Sequence, residues 1–179
     1  KAVGPGRSFR KKKTTELLID ATERPHYRPK NKEQQRALYS GKRRCNTVKN
    51  MVISDAKRFI HFLGPTTQGN VHDLDLLRID FHPRFDWFSN FDCIMDLGYI
   101  GFARDYATKS LKMPTKMTKK QPKLNGTQKQ NNKSINQQRI WVEHAIGGMK
   151  RFECLVSRFR NRKVPLFDDL LIRICAGIW

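Results

Sequence analysis

Carboxylates are scarce in this chain of 179 residues: 16 Asp and Glu stand against 36 Lys and Arg, for a net charge of +20 and a pI near 10.3. So large an excess of one sign points to a polyanionic partner, either as an enzyme's substrate or as the ligand of a nonspecific basic protein. Cysteine is also sparse. Cys45, Cys93, Cys154 and Cys175 form no CxxC pair, and His26, His61, His72, His82 and His144 supply no close partners at finger-like spacing, so a structural zinc site is excluded. Three of the four cysteines lie in apolar contexts, and all four read as buried, reduced thiols of a reducing compartment. No apolar run is long enough to span a bilayer, because Arg173 breaks the one near the C-terminus, and the opening KAVGPGRSFRKKK has charge but no apolar segment of a signal peptide. An initiator methionine is missing as well, and the chain stops inside the helical pattern LLIRICAGIW, which reads as a piece of a longer protein.

What is present suits one domain with a real core. Residues 1–13 read as a basic flexible connector and 14–179 as the domain. A short buried strand over Leu17–Ile19 ends on Asp20, and prolines 25 and 29 precede a possible short helix that Ser40-Gly41 breaks. Asn46–Ser54 and RFIHFLG alternate well enough to form a hairpin. Asp73 is a good N-cap for a helix carrying Leu74, Leu76 and Leu77, and FDCIMD is a strand ending on Asp96. Residues 104–133 hold nine basic residues and one acid, and read as irregular around a short strand near PTKM, with low complexity at NGTQKQNNK. A long helix over 134–152 and a last one from about Leu166, after Pro165, complete an α/β domain with a mixed sheet flanked by helices.

The acids are few enough to be weighed singly. Arg139, Glu143 and Lys150 share one helix face, since offsets of four and eleven residues rotate a side chain by roughly 40° and 20°. Alone, that is an ordinary solvated face; Asp20 alone is a strand-end turn, and Asp96 alone a helix cap. Together, three acids on three elements match what a hard divalent cation needs for phosphoryl transfer. Arg139 and Lys150 would then touch phosphates. The basic segments 24–49, with Lys42 and Arg43, and 104–133, with Lys116, Lys119 and Lys120, are candidate DNA tracks. His72 and Asp73 in GNVHD read as a helix cap, or as support for the metal ligands. Trp141, about 200° from Glu143, is assigned to the core, and Gly147-Gly148 marks either a kink or a close backbone approach.

IDATERP, YSGKRRCNTVKN, GNVHD, MDLGYIGF and RIWVEHAIGGMKRFECLVSRFRN, in this order, resemble the DDE transposases of bacterial insertion sequences, in the branch related to Harbinger elements. The resemblance implies a ribonuclease-H-like fold, a triad of Asp20, Asp96 and Glu143 binding Mg²⁺ or Mn²⁺, and double-stranded DNA as substrate, both at the element's terminal inverted repeats and at the target. It further implies metal-dependent strand cleavage followed by strand transfer, a homodimer on DNA, and a prokaryotic, cytoplasmic, nucleoid-associated protein with no membrane role. A related signature, Tyr-x2-Arg-x3-Glu-x6-Lys, is matched by Arg139, Glu143 and Lys150, with Asn136 in place of the tyrosine. Relatives carry an N-terminal helix-turn-helix that nothing before Lys13 can form, so the piece is expected to lack end recognition. The rival readings are a domesticated, transposase-derived protein that grips DNA without cutting it, and a nuclease of the same fold acting on hybrids or junctions.

Overall fold

In the computed structural model, which describes residues 15–119, 121–161 and 166–179, the sheet is built on a hairpin of two ten-residue strands. β1 (Glu16–Pro25) runs antiparallel to β3 (Cys45–Ser54), with Leu18 opposite Ser54 and Pro25 opposite Thr47. The connection carries α1 (Lys32–Leu38), capped by the Asn31 carboxamide on the amides of Glu33 and Gln34, and the two-residue β2 (Tyr39–Ser40), which pairs with the start of β3. β4 (Ile60–Leu63) and β5 (Thr67–Gln68) add antiparallel pairs to β3. On the other side of β1, β6 (Asp92–Ile94) and β7 (Ser110–Lys112) pair in parallel, giving the order β2-β3-β1-β6-β7. This mixed sheet flanked by helices is the α/β, ribonuclease-H-like arrangement expected.

Period-two alternation divides the core. Leu17, Ile19, Met51 and Ile53 point to one face, under α2 (Asp73–Asp80), α3 (Phe102–Asp105) and the ring cluster of Phe81, Phe88, Phe102 and Tyr106. Leu18, Val52 and Ile94 point to the other, under α4 (Gly126–Met149) and α5 (Phe167–Ile178), where Val142, Met149 and Ile172 meet them. Each large side chain buried in this way contributes about 1.5–3 kcal/mol. Asp20 has the parity of Leu18 and so faces α4.

Several expectations need correction. β1 continues five residues past Asp20, because β3 keeps pairing with it through Pro25. α4 starts at Gly126, inside the stretch read as low complexity: the Asn125 carboxamide accepts from the Gln128 amide, and the Gln128 side chain reciprocates on the Asn125 amide. That capping box satisfies orphan donors which the polar composition concealed. The helix ends at Met149, with Lys150 as its cap. The short strand of the basic segment is Ser110–Lys112, and PTKM lies outside it. His72 caps α2, and Asp73 is its first helical residue. Trp141 is exposed, since the inward face of α4 is set by Val142, Ala145 and Met149, about 100° away. Cys154 is exposed as well. The 1–13 connector, Lys120 and Pro165 lie outside the described residues. Among the described residues no helix is long and apolar enough to cross a membrane.

Candidate functional site

The site originates in a mismatch of strand lengths. β6 stops at Ile94, opposite Leu18, while β1 runs on, so among the described residues the edge of β1 from Asp20 to Glu23 has no strand beside it. The chain leaving β6 turns away at Met95 and Asp96 into a single 3₁₀ turn, Leu97–Tyr99, which Asp96 caps by accepting from the Gly98 amide at 2.7 Å. The gap is an open cleft of about 570 Å³ whose lining includes Asp20, Asp73 and Asp96 together with Lys42, Arg43 and Lys150. Glu143 and Gly147 of α4 form part of its wall.

The three acids expected to act together do converge, and Arg139 is where they meet. Its Nη2 lies 3.6 Å from an oxygen of Asp20, 3.8 Å from one of Asp96 and 3.9 Å from one of Glu143. No two of those oxygens are therefore farther apart than two such contacts. The guanidinium is largely buried, and among the described residues its Nε has no hydrogen-bond partner. Burial pushes the Asp20 carboxyl from 3.8 up to about 6, against the Ala21 amide at 2.8 Å and the charge of Arg139; Asp96 and Asp73 push it further up. A carboxylate in that position is short of positive charge.

Asp73 is a fourth acid in the cluster. A side chain at position 98 would lie 2.8 Å from Asp73 Oδ2 and 2.9 Å from Asp96 Oδ1, so glycine is the residue that lets the two aspartates close over the 3₁₀ turn. Released from capping α2, Asp73 accepts from Lys49 Nζ at 2.9 Å, and Lys49 also reaches Glu23 at 3.5 Å and the Val71 carbonyl at 2.9 Å. Glu23 and Lys49 are direct cross-strand partners. This Glu23–Lys49–Asp73 chain escaped the sequence reading. Its signal was the antiparallel register, hidden once β1 was taken to end at Asp20.

The remaining predicted residues fall in two groups. Lys42, Arg43, His72 and Lys150 line the cleft. Lys150 donates to the Glu23 carbonyl at 3.0 Å, and burial, then the neighbouring Arg43, depresses its pKa. Lys116 and Lys119 are exposed on the irregular segment after β7, away from the cleft lining.

Asp20, Asp96 and Glu143 offer the hard oxygen donors a divalent cation takes, and they already gather around one positive atom. Among the described residues, however, no three His, Cys, Asp or Glu stand close enough to hold an ion as placed, because Arg139 fills the space between them. The donor chemistry fits a cation, provided the guanidinium withdraws.

Comparison with known proteins gives a family for the chain. The family described as DDE superfamily endonuclease matches residues 19–178. A probable transposase for insertion sequence element IS702 from Microchaete diplosiphon is 30% identical over 163 residues, 91% of this chain and 55% of that protein. The chain thus spans about half the length of the curated relative it matches. No solved structure matches.

Proposed function

The chain belongs to the DDE superfamily endonucleases, and on that premise we propose that it cuts DNA at a phosphodiester held in the cleft and joins the freed end to a second DNA. The observation that carries this reading is the convergence of Asp20, Asp96 and Glu143, from two neighbouring strands' ends of pairing and a facing helix, upon Arg139 Nη2. Asp20, Asp96 and Glu143 would hold Mg²⁺ or Mn²⁺. When bound, such ions stabilise the entering and leaving oxygens of an in-line displacement.

The chain's own residues supply position and charge. Lys42, Arg43 and Lys150 neutralise the phosphates flanking the scissile one, and Arg139, once displaced from the acids, is left beside the same phosphate. The Glu23–Lys49–Asp73 chain fixes the start of α2, where Asp73 stands, beside the 3₁₀ turn of Asp96, so that the acidic cluster keeps its shape. In the first step water forms a bond to phosphorus while the bond to O3′ breaks, leaving a 3′-hydroxyl and a 5′-phosphate. In the second that hydroxyl forms a new ester with a target phosphorus, and the target's own O3′ leaves.

The test is strand cleavage and joining with supplied DNA and Mg²⁺ or Mn²⁺. Asp96→Asn is expected to abolish cleavage while leaving DNA affinity unchanged, and Asp20→Asn and Glu143→Gln to do the same. Equal loss of binding and cleavage would remove the catalytic assignment; binding by the unaltered protein with no cutting under any divalent cation would leave a DNA-gripping protein.

A further inference from the structure

A second cleft lies beside the first, and among the described residues its positive charge has no carboxylate to balance it. It measures about 620 Å³ and is lined by Arg28, Lys32, Gln35 and Arg36 of α1 and its approach, by Tyr39, and by Arg44 of the turn into β3. All four cations are exposed, and among the described residues none of them pairs with a carboxylate. Lys32 and Arg36 stand four residues apart on one face of α1. Arg28 is aimed by a neutral partner: its Nε and Nη2 both donate to Gln35 Oε1, at 3.2 and 3.1 Å, and Gln35 is in turn anchored on the Pro29 carbonyl at 2.7 Å.

Two further features belong to the cleft. Arg44 sits in the left-handed region, at φ 53°, where glycine would be unstrained. Tyr39, an exposed aromatic on β2, lines both this cleft and the acidic one, so the two clefts are neighbours at that residue. Cations spaced along a groove with an aromatic at its mouth are the elements of a strand-binding track, since phosphates need charge and every base has a face that stacks. An acidic peptide would use the cations and leave the ring without a purpose.

We infer that this cleft carries the DNA strand leaving the catalytic cleft, with Arg28, Lys32, Arg36 and Arg44 on its phosphates and Tyr39 stacked on an unpaired base where the two clefts join. The inference rests on DNA being the substrate, as proposed above, and extends it to where the flanking strand runs.

It is tested by fluorescence anisotropy on the full chain, over a series of salt concentrations, with a labelled duplex of arbitrary sequence that is either blunt or has a single-stranded overhang. Arg44→Gly, and Arg28→Gln with Arg36→Gln, are expected to flatten the slope of log affinity against log salt by about one per cation removed. Arg44→Gly should do so while its melting temperature holds or rises. Tyr39→Leu is expected to weaken the overhang complex roughly tenfold and leave the blunt one alone. Unchanged slopes in both arginine variants overturn the track, and equal weakening of both DNAs by Tyr39→Leu overturns the stacked base. The proposed function is judged separately, by whether Asp96→Asn stops cutting. Slopes that flatten in a protein that never cuts would keep the track and remove the catalysis, and an unaltered protein with no affinity for DNA would remove both.

Discussion

Asp20 is held where its charge is costly. Burial lifts its pKa to about 6, so between the ordinary 3.8 and that value the folded protein keeps a proton that the unfolded chain has already released. Stability therefore falls as pH climbs through that window and stays reduced above it, by up to about 3 kcal/mol. Asp20→Asn, which cannot ionise, is expected to remove this slope and to raise the melting temperature at neutral pH, while abolishing cleavage. Thermal melts of both proteins across the window check it, and an equal slope in the variant would assign the loss to another group. The divalent cations proposed above would address the same shortage of positive charge. Mn²⁺ should raise the melting temperature of the unaltered protein more at about pH 7 than at about pH 5, where Asp20 is protonated and cannot bind a metal. Arg139 opposes the upward shift, so Arg139→Met should move the Asp20 titration higher still, as read by NMR.

At the level of elements, α4 shows which glycine matters. A methyl group on Gly148 would fall 2.1 Å from the Trp179 ring, whereas one on Gly147 meets nothing within 4 Å. Gly147→Ala is therefore expected to stabilise the helix by up to about 1 kcal/mol, and Gly148→Ala to destabilise the protein by roughly 1–3 kcal/mol, both measured by denaturant melts. The close approach anticipated for the Gly147-Gly148 pair is thus real at one position only. Three acids and the arginine among them could be picked out from spacing and from the apolar runs that precede Asp20 and Asp96. The length of β1 could not, because pairing with β3 extends it through residues of mixed polarity. Nor could the first two turns of α4: their stability comes from the Asn125–Gln128 capping box, a two-residue signal inside a polar run. The error at Asp73 had a chemical origin, since a residue suited to capping was instead engaged by Lys49.

Across the whole molecule, the +20 charge is spread over more surface than either cleft covers, and distance from the acids should decide what each cation does. Neutralising Lys116 and Lys119, exposed outside the cleft, is expected to weaken DNA binding evenly across sequences and to flatten its salt dependence by about one per lysine. Neutralising Lys42 and Arg43, which line the cleft, should also slow cleavage at saturating DNA. Single-turnover rates beside affinities separate the two effects.

The missing neighbour of β1 also bears on strand addition at the open margin. An unpaired strand margin invites another chain to add a strand there, the usual route to unwanted sheet growth. Here the Lys150 ammonium occupies the Glu23 carbonyl and the Phe159 amide takes that of Pro25, so the margin is partly blocked before any intruder arrives. The opening proposed to admit a polyanion is thereby guarded against a polypeptide, and one lysine would stand at both duties.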